Sequence, residues 1–153
     1  MGGGASFNHL NGLYTPKDPA GKTPENARIC NALRSLKEFI YSFDFLKMRP
    51  DKSFIVSGIP SGAFCRSISQ SGQQYALYLH HSTGGKGSVY TVAPGHYTEK
   101  LVLTLPEGGY KMDWIDPANG SLIGTETLSH QGGDRTLTTP TYPVDIALRV
   151  KRI

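Results

Sequence analysis

The amino-acid sequence predicts a mainly β protein: a two-layer antiparallel β-sandwich of about eight strands with one N-terminal amphipathic α-helix. Two observations lead to this prediction. After residue 50, short segments of alternating apolar and polar residues are separated by turn residues every ~8–12 positions, which is typical of sandwiches. Before residue 50, apolar residues recur at helical spacing instead. A chain of 153 residues is long enough for one domain with a substantial core.

The helix is predicted to begin at Thr23-Pro24, because Thr23 can cap the first turn and Pro24 suits the first helical position. Its apolar stripe consists of Ile29, Leu33, Leu36 and Ile40, widened by Ala32, Phe39 and Phe43. We expect the helix to end near Tyr41 and its stripe to pack against the sandwich. The chain then divides into residues 1–50, a Gly-rich segment, loop and helix, and residues 51–153, the β-sandwich.

The strands are predicted where side chains alternate between two faces. These segments are 54–56, 63–69, 74–81, 89–93, 100–105, 110–115, 121–128, 135–139 and 145–153. In the segment 74–81, Tyr75, Leu77 and Leu79 share one face. The sequence 116–120, Asp-Pro-Ala-Asn-Gly, predicts a reversal of the chain. We favour a β-turn with an Asx hydrogen bond there over a calcium site, because the run lacks the ladder of acidic residues that calcium loops show.

Composition and charge exclude several function classes. The net charge of +4 is mild and its Lys and Arg residues are scattered, so a nucleic-acid partner is not expected. No apolar run approaches the ~20 residues of a membrane-spanning helix, so no membrane association is expected. The first residues lack a basic region followed by an apolar one, so no signal peptide is predicted and the localisation stays open. Cys30 and Cys65 are interpreted as buried free thiols, with a disulfide as the alternative in an exported protein.

The sequence contains no clear catalytic or metal-binding constellation. Its carboxylates lie in turns or beside charged residues, where solvated acids are usual. His80 and His81 are adjacent on a strand, so they point to opposite faces and cannot share one ion. Residues 84–88 resemble a phosphate loop only superficially, because they lie between strands and do not open a helix. We therefore expect no catalytic residue, no metal and no cofactor.

Exposed aromatic rings are the remaining candidates for ligand contact, since sugars stack on such rings. Tyr97 lies in a Pro-Gly-His-Tyr loop and Tyr142 lies between Pro140 and Pro143, so both are expected at the surface. Trp114 shares a face with core-type neighbours, which favours a core position. The candidate ligand-binding residues are Tyr97, Tyr142 and Trp114.

Three stretches of the sequence, by their content and their order, resemble the C-terminal part of a group of bacterial glycoside hydrolases. In that group a (β/α)₈ barrel is joined to a β-sandwich that is catalogued as a collagen-binding domain of a collagenase type. Residues 2–10, Gly-Gly-Gly-Ala-Ser-Phe-Asn-His-Leu, are similar to the last barrel strand and the loop after it. Residues 36–51 are similar to the final barrel helix and the link out of it. Residues 75–148, with Trp114-Ile-Asp-Pro-Ala-Asn-Gly, are similar to the sandwich.

The resemblance implies an accessory role without chemistry of its own. The chain begins where the barrel would be ending, so we expect a fragment that lacks the catalytic strands, and no functional residue carries over. The first functional hypothesis is a non-catalytic accessory sandwich that supports a (β/α)₈ domain and contacts carbohydrate. The alternative is a free-standing carbohydrate- or protein-binding module. Association of copies through the exposed helix face is a further expectation, and full-length relatives are expected to be exported.

Overall fold

The computed structural model describes residues 23–83 and 91–153. The Gly-rich segment and loop expected in residues 1–22, and the loop expected around residues 84–88, lie outside the described residues. Within the described ranges the chain forms one α-helix, one short 3₁₀ turn at Phe45–Lys47 and ten strands. They are α1 (Pro24–Tyr41), β1 (Arg49–Pro50), β2 (Ile55–Ser57), β3 (Ala63–Gln70), β4 (Gln74–Thr83), β5 (Thr91–Val92), β6 (Lys100–Leu105), β7 (Gly108–Ile115), β8 (Leu122–His130), β9 (Gly133–Thr138) and β10 (Asp145–Arg152).

The strands form two antiparallel sheets, which confirms the predicted fold class. The larger sheet has the order β1-β3-β4-β10-β7-β8, and β5 also pairs with β4. The smaller sheet has the order β2-β6-β9. The last strand of the chain, β10, lies between β4 and β7, with Leu148 opposite both Leu77 and Trp114. The larger sheet therefore depends on pairing between β10 and β4, which are more than 60 residues apart in the sequence.

The core lies between the two sheets and is built from alternating residues, as the sequence predicts. The larger sheet contributes the inward rows of β4, β7 and β10, and the smaller sheet contributes the leucines of β6. The buried members of these four rows are Tyr75, Leu77, Leu79, Tyr110, Met112, Trp114, Ile146, Leu148, Val150, Leu101, Leu103 and Leu105. Each fully buried side chain of this kind contributes about 1.5–3 kcal/mol relative to an exposed one.

The outward face of the larger sheet is also partly buried, and one charged pair is stabilised there. Asp113 is buried on β7 and lies opposite Arg149 on β10. Arg149 donates from Nε and Nη2 to Asp113 Oδ2 at 3.1 and 2.8 Å, and Thr125 donates to Asp113 Oδ1 at 2.7 Å. Burial alone would raise the pKa of Asp113, but these hydrogen bonds and the Arg149 and Lys111 charges lower it. The pair is therefore fully hydrogen-bonded, as a buried carboxylate requires.

Helix α1 has the bounds that the sequence predicts, and Thr23 Oγ1 accepts a hydrogen bond from the backbone N–H of Asn26 at 3.4 Å. Its C-terminal end is fixed to the outward face of the larger sheet by a small cluster. That cluster contains Phe43, Met48 and Ala76, with Phe39 and Ile68 packed against it. Lys151 Nζ also donates to the backbone oxygen of Ser42 at 2.9 Å.

The expectation that the whole apolar stripe packs against the sandwich is wrong for three of its residues, one of which is the exposed Ala32. Leu33 and Leu36 are 38% and 57% exposed. Ser35 is buried instead, and its side chain lies next to Gly120, where an added Cβ would come within 3.2 Å of Ser35 Oγ. The Ser35 hydroxyl donates to the backbone oxygen of Asn31 at 3.0 Å, so the contact of Ser35 with the β7–β8 turn is one of close packing. Part of the stripe faces solvent in this orientation.

Two glycines allow a matched test of close backbone packing beside β6 in the smaller sheet. Gly58 and Gly62 both have positive φ, 94° and 81°. A Cβ at Gly58 would lie 2.0 Å from the Lys100 backbone oxygen, whereas a Cβ at Gly62 meets nothing within 4 Å. We expect Gly62→Ala to lower the free energy of unfolding by about 1–2 kcal/mol through left-handed strain alone. Gly58→Ala should lower the free energy of unfolding by about 1–3 kcal/mol more than Gly62→Ala does, because backbone atoms of β6 must move to make room for the Cβ.

Urea unfolding followed by circular dichroism measures both variants against the wild type. Equal losses of stability in the two variants would contradict the close approach of Gly58 to β6.

Candidate functional site

The structure brings together two of the three candidate ligand-binding residues. Tyr97 and Tyr142 form an isolated antiparallel bridge, and the backbone N–H of each donates to the backbone oxygen of the other at 3.0 Å. Trp114 lies elsewhere, buried in β7 within the core between the sheets, which confirms the core position that its neighbours favour. The three aromatic residues therefore do not form one surface.

His81 joins the two tyrosines into a cluster, and the sequence analysis did not find this role. Its ring stacks on the Tyr97 ring with centroids 3.5 Å apart and planes 3° apart. Its Nε2 lies 2.9 Å from the Tyr142 hydroxyl in a buried hydrogen bond. The signal was available in the alternation of β4, because His81 continues the inward row of Tyr75, Leu77 and Leu79. We name His81, Tyr97 and Tyr142 the aromatic cluster.

The surface position expected for Tyr142 is wrong. Its side chain is only 2% exposed, because the bridge to Tyr97 and the bond to His81 hold it at the end of the core. Tyr97 is half-buried, and its ring is covered by His81 on one face. A Cβ at Gly95 would come within 2.7 Å of the Tyr97 ring, so the backbone of Gly95 lies against the ring as well.

One face of the Tyr97 ring is therefore occupied by His81. The Tyr97 hydroxyl donates to the backbone oxygen of Ala93 at 2.9 Å. Carbohydrate stacking needs a free ring face, so the face that His81 covers cannot take part in it. Ligand binding by Tyr97, Tyr142 and Trp114 stays a prediction.

The electrostatics of the aromatic cluster favour neutral side chains. Burial lowers the pKa of His81, and the neighbouring His80 lowers it further, while the charge of Glu99 opposes the change. Burial, Glu99 and Tyr97 together raise the pKa of Tyr142. A neutral imidazole bonded to a neutral phenol is a structural arrangement rather than an activated nucleophile.

The hydrogen bonds of two carboxylates show why they are structural. Asp51 Oδ2 accepts from the Ser69 hydroxyl at 2.5 Å, and Oδ1 accepts from the backbone N–H of Ser53 at 2.8 Å. Burial would raise the pKa of Asp51, but these hydrogen bonds lower it. The general acid of a glycosidase needs the opposite shift, and the pKa of Asp113 is lowered too. Neither group has the property of a catalytic acid.

The turn after β7 has the Asx geometry that the sequence predicts. Asp116 Oδ1 accepts from the backbone N–H of Ala118 at 2.9 Å, and Asp116 Oδ2 accepts from Asn119 Nδ2 at 3.0 Å. Asn119 Oδ1 accepts from the backbone N–H of Ser121 at 2.7 Å. The side-chain oxygens that calcium would need are thus used within the turn. Across residues 23–83 and 91–153, no group of three or more His, Cys, Asp or Glu residues could hold a metal ion.

The cysteines differ in burial. Cys65 is a free thiol buried in β3, as expected, and burial raises its pKa while Lys52 and Arg66 oppose that change. Cys30 on α1 is only half-buried, so the expectation of a fully buried thiol is wrong there. Among the described residues, no helix combines the length and hydrophobicity that a membrane span requires.

A groove lies between α1 and the outward face of the larger sheet, with a volume of about 690 Å³. Helix residues Leu36, Phe39 and Ile40 form one wall. The floor is apolar and is formed by Ile68, Ala76, Ile115 and Ala147. Small alanines on the neighbouring strands β4 and β10 leave the depression under the helix. We name this feature the α1 groove.

Comparison with solved structures shows a fold shared with a glycoside hydrolase. The TM-score is 0.56 at 15% sequence identity, over 90% of this chain and 27% of the glycoside hydrolase chain. No protein-family model matches the sequence, and no curated protein matches it either. At such low identity the similarity concerns the fold alone. The chain thus spans about a quarter of the length of that glycoside hydrolase.

The aromatic cluster generates a prediction about pH. The unfolded chain protonates His81 near pH 6.5, and the folded protein protonates it only at lower pH because its pKa is lowered. Neutral His81 therefore makes its full contribution to the free energy of unfolding above pH 6.5. This contribution is lost as the pH falls through the pKa that His81 has in the folded protein. We expect the free energy of unfolding to decrease between pH 7.5 and pH 5, and to decrease less in His81→Phe.

Urea unfolding at several pH values measures this effect. The exposed loop residue His96 provides the control, since His96→Gln should keep the wild-type pH dependence. Parallel curves for wild type and His81→Phe would show that His81 does not titrate differently in the folded protein.

Proposed function

We propose that this chain is a non-catalytic accessory β-sandwich of a glycoside-hydrolase-type protein, and that it packs against a (β/α)₈ domain. The observation that carries the proposal is the fold match, which includes 90% of this chain but only 27% of the glycoside hydrolase. A fold that occupies about a quarter of a larger enzyme is suited to an accessory unit. The lowered pKa values of Asp51 and Asp113 do not suit the general acid that a glycosidase requires.

An exposed apolar surface on α1 and the 3₁₀ turn is suited to such packing. Its members are Leu33, Leu36, Tyr41, Phe45 and Leu46, which we name the apolar patch. Leu46 is 95% exposed, and a cluster of large apolar side chains on a monomer surface marks an interaction site. The patch lies outside the core between the sheets, so another structural unit can cover it without changing the sandwich.

The absence of catalysis is directly testable. We expect the purified chain to hydrolyse none of a panel of p-nitrophenyl α- and β-glycosides above the rate of buffer, because the pKa values of the buried Asp113 and of Asp51 are shifted away from that of a general acid. A glycosidase of known activity serves as the positive control. Turnover that persists through purification and disappears in Asp113→Asn or Asp51→Asn would contradict the proposal.

The packing role is tested with the double variant Leu33→Gln/Leu46→Gln. We expect the wild type to bind the dye 8-anilinonaphthalene-1-sulfonate and to associate weakly, and the variant to lose most of both properties. The free energy of unfolding should change by no more than about 0.5 kcal/mol, as for ordinary surface substitutions. The exposed residue Glu38 on the same helix provides the control variant Glu38→Gln.

Dye fluorescence, light scattering and urea unfolding give the three measurements. A large loss of stability in the double variant would place the patch within the chain's own core. A discrete wild-type dimer that dissociates in the variant would identify a second copy as the partner. Either result would overturn packing against a barrel.

A further inference from the structure

The α1 groove combines apolar walls with cations at one end. The sheet order places β3, β4, β10 and β7 side by side under the helix. Lys52 and Arg66 line the groove on the β3 side, whereas Pro117 and Gly120 line it on the β7 side. Three strand spacings separate these sides, roughly 14 Å at about 4.8 Å each, which matches an extended alkyl chain of about a dozen carbons.

The cations at the β3 side are not neutralised by ion pairs. The four ion pairs found in residues 23–83 and 91–153 include neither Lys52 nor Arg66. Asp51 also lines this end, but its two oxygens accept from Ser69 and Ser53. These hydrogen bonds lower the pKa of Asp51 and keep it charged, so this end of the groove has two cationic groups and one carboxylate, an excess of one positive charge. The end of the groove is therefore complementary to an anion.

The rest of the groove offers little to a polar ligand. The Tyr78 hydroxyl, which lies on the floor strand β4, donates to Asp145 Oδ2 at 2.8 Å. Ile68, Ala76, Ile115 and Ala147 expose only apolar side chains to the groove. A volume of about 690 Å³ falls within the range of small-molecule sites, roughly 300–1,000 Å³.

We propose that the α1 groove binds a free long-chain carboxylate, with its alkyl chain between α1 and the sheet and its anionic group at Lys52 and Arg66. This inference concerns the inner side of α1, which shares only Leu36 with the apolar patch, and it does not depend on packing of the patch against a barrel. A bilayer surface fits less well, because the floor is recessed beneath the helix. The site thus recognises one extended amphiphile.

Isothermal titration calorimetry with octanoate, decanoate and dodecanoate, each below its micelle concentration, tests the proposal. We expect affinity to increase about fourfold for each added methylene, as apolar burial requires. Octanoate should bind at least tenfold more tightly than 1-octanol. In the double variant Lys52→Gln/Arg66→Gln, the preference for octanoate over 1-octanol should disappear, while the affinity for 1-octanol stays unchanged. The control variant Lys100→Gln changes an exposed lysine on β6 and should bind both ligands as the wild type does.

Ala147→Leu fills the floor and should reduce dodecanoate binding at least tenfold. If that variant does not fold, methyl NMR of the wild type provides the measurement, since dodecanoate should shift the Ala76 and Ala147 signals. Three results would overturn the proposal. The carboxylates could fail to bind up to 1 mM, or octanoate and 1-octanol could bind with equal affinity. The protein could also bind phosphatidylglycerol vesicles without binding the free carboxylates. Loss of the apolar patch in Leu33→Gln/Leu46→Gln leaves the groove residues intact, so the two proposals can fail separately.

Discussion

The pairing of β10 between β4 and β7 is the constraint on which the rest of the structure depends. The chain's last strand completes the middle of the larger sheet, with Ile146, Leu148 and Val150 facing the smaller sheet. Because strand register has a period of two, this pairing also fixes what the outward face contains. Ala147 and Arg149 must then point outward, where one forms the floor of the α1 groove and the other binds Asp113. Core, groove and buried ion pair therefore follow from one register.

This arrangement also explains which features the sequence could predict. The alternation in β4, β6, β7 and β10 identifies both strands and inward faces, because a half-buried strand repeats every two residues. Thr23 and Pro24 identify the start of α1, because capping depends only on neighbouring residues. These signals are local, and the structure confirms them. The fold class was predictable for that reason.

The features that the sequence did not predict depend on contacts between distant residues. Tyr142 has prolines on both sides and resembles a surface loop residue, but its burial comes from pairing with Tyr97 and from bonding to His81. The rotation of α1 is a similar case. An apolar stripe indicates which side of a helix avoids water, yet the partner that covers that side is not encoded in the stripe. The polar residue Ser35 is buried beside Gly120 instead.

Helix α1 therefore contributes to two apolar surfaces, which share Leu36. The apolar patch includes residues such as Leu46, which is almost fully exposed. Exposed apolar side chains of this kind are suited to contact with another folded unit, which can bury many side chains at once. The α1 groove is concave, and its cations stand at one end, so its shape and charge suit a single extended molecule. The cluster of Phe43, Met48 and Ala76 holds the C-terminal end of the helix to the sheet. A domain that contacts the apolar patch and a ligand that enters the α1 groove would therefore both affect how α1 lies on the sheet.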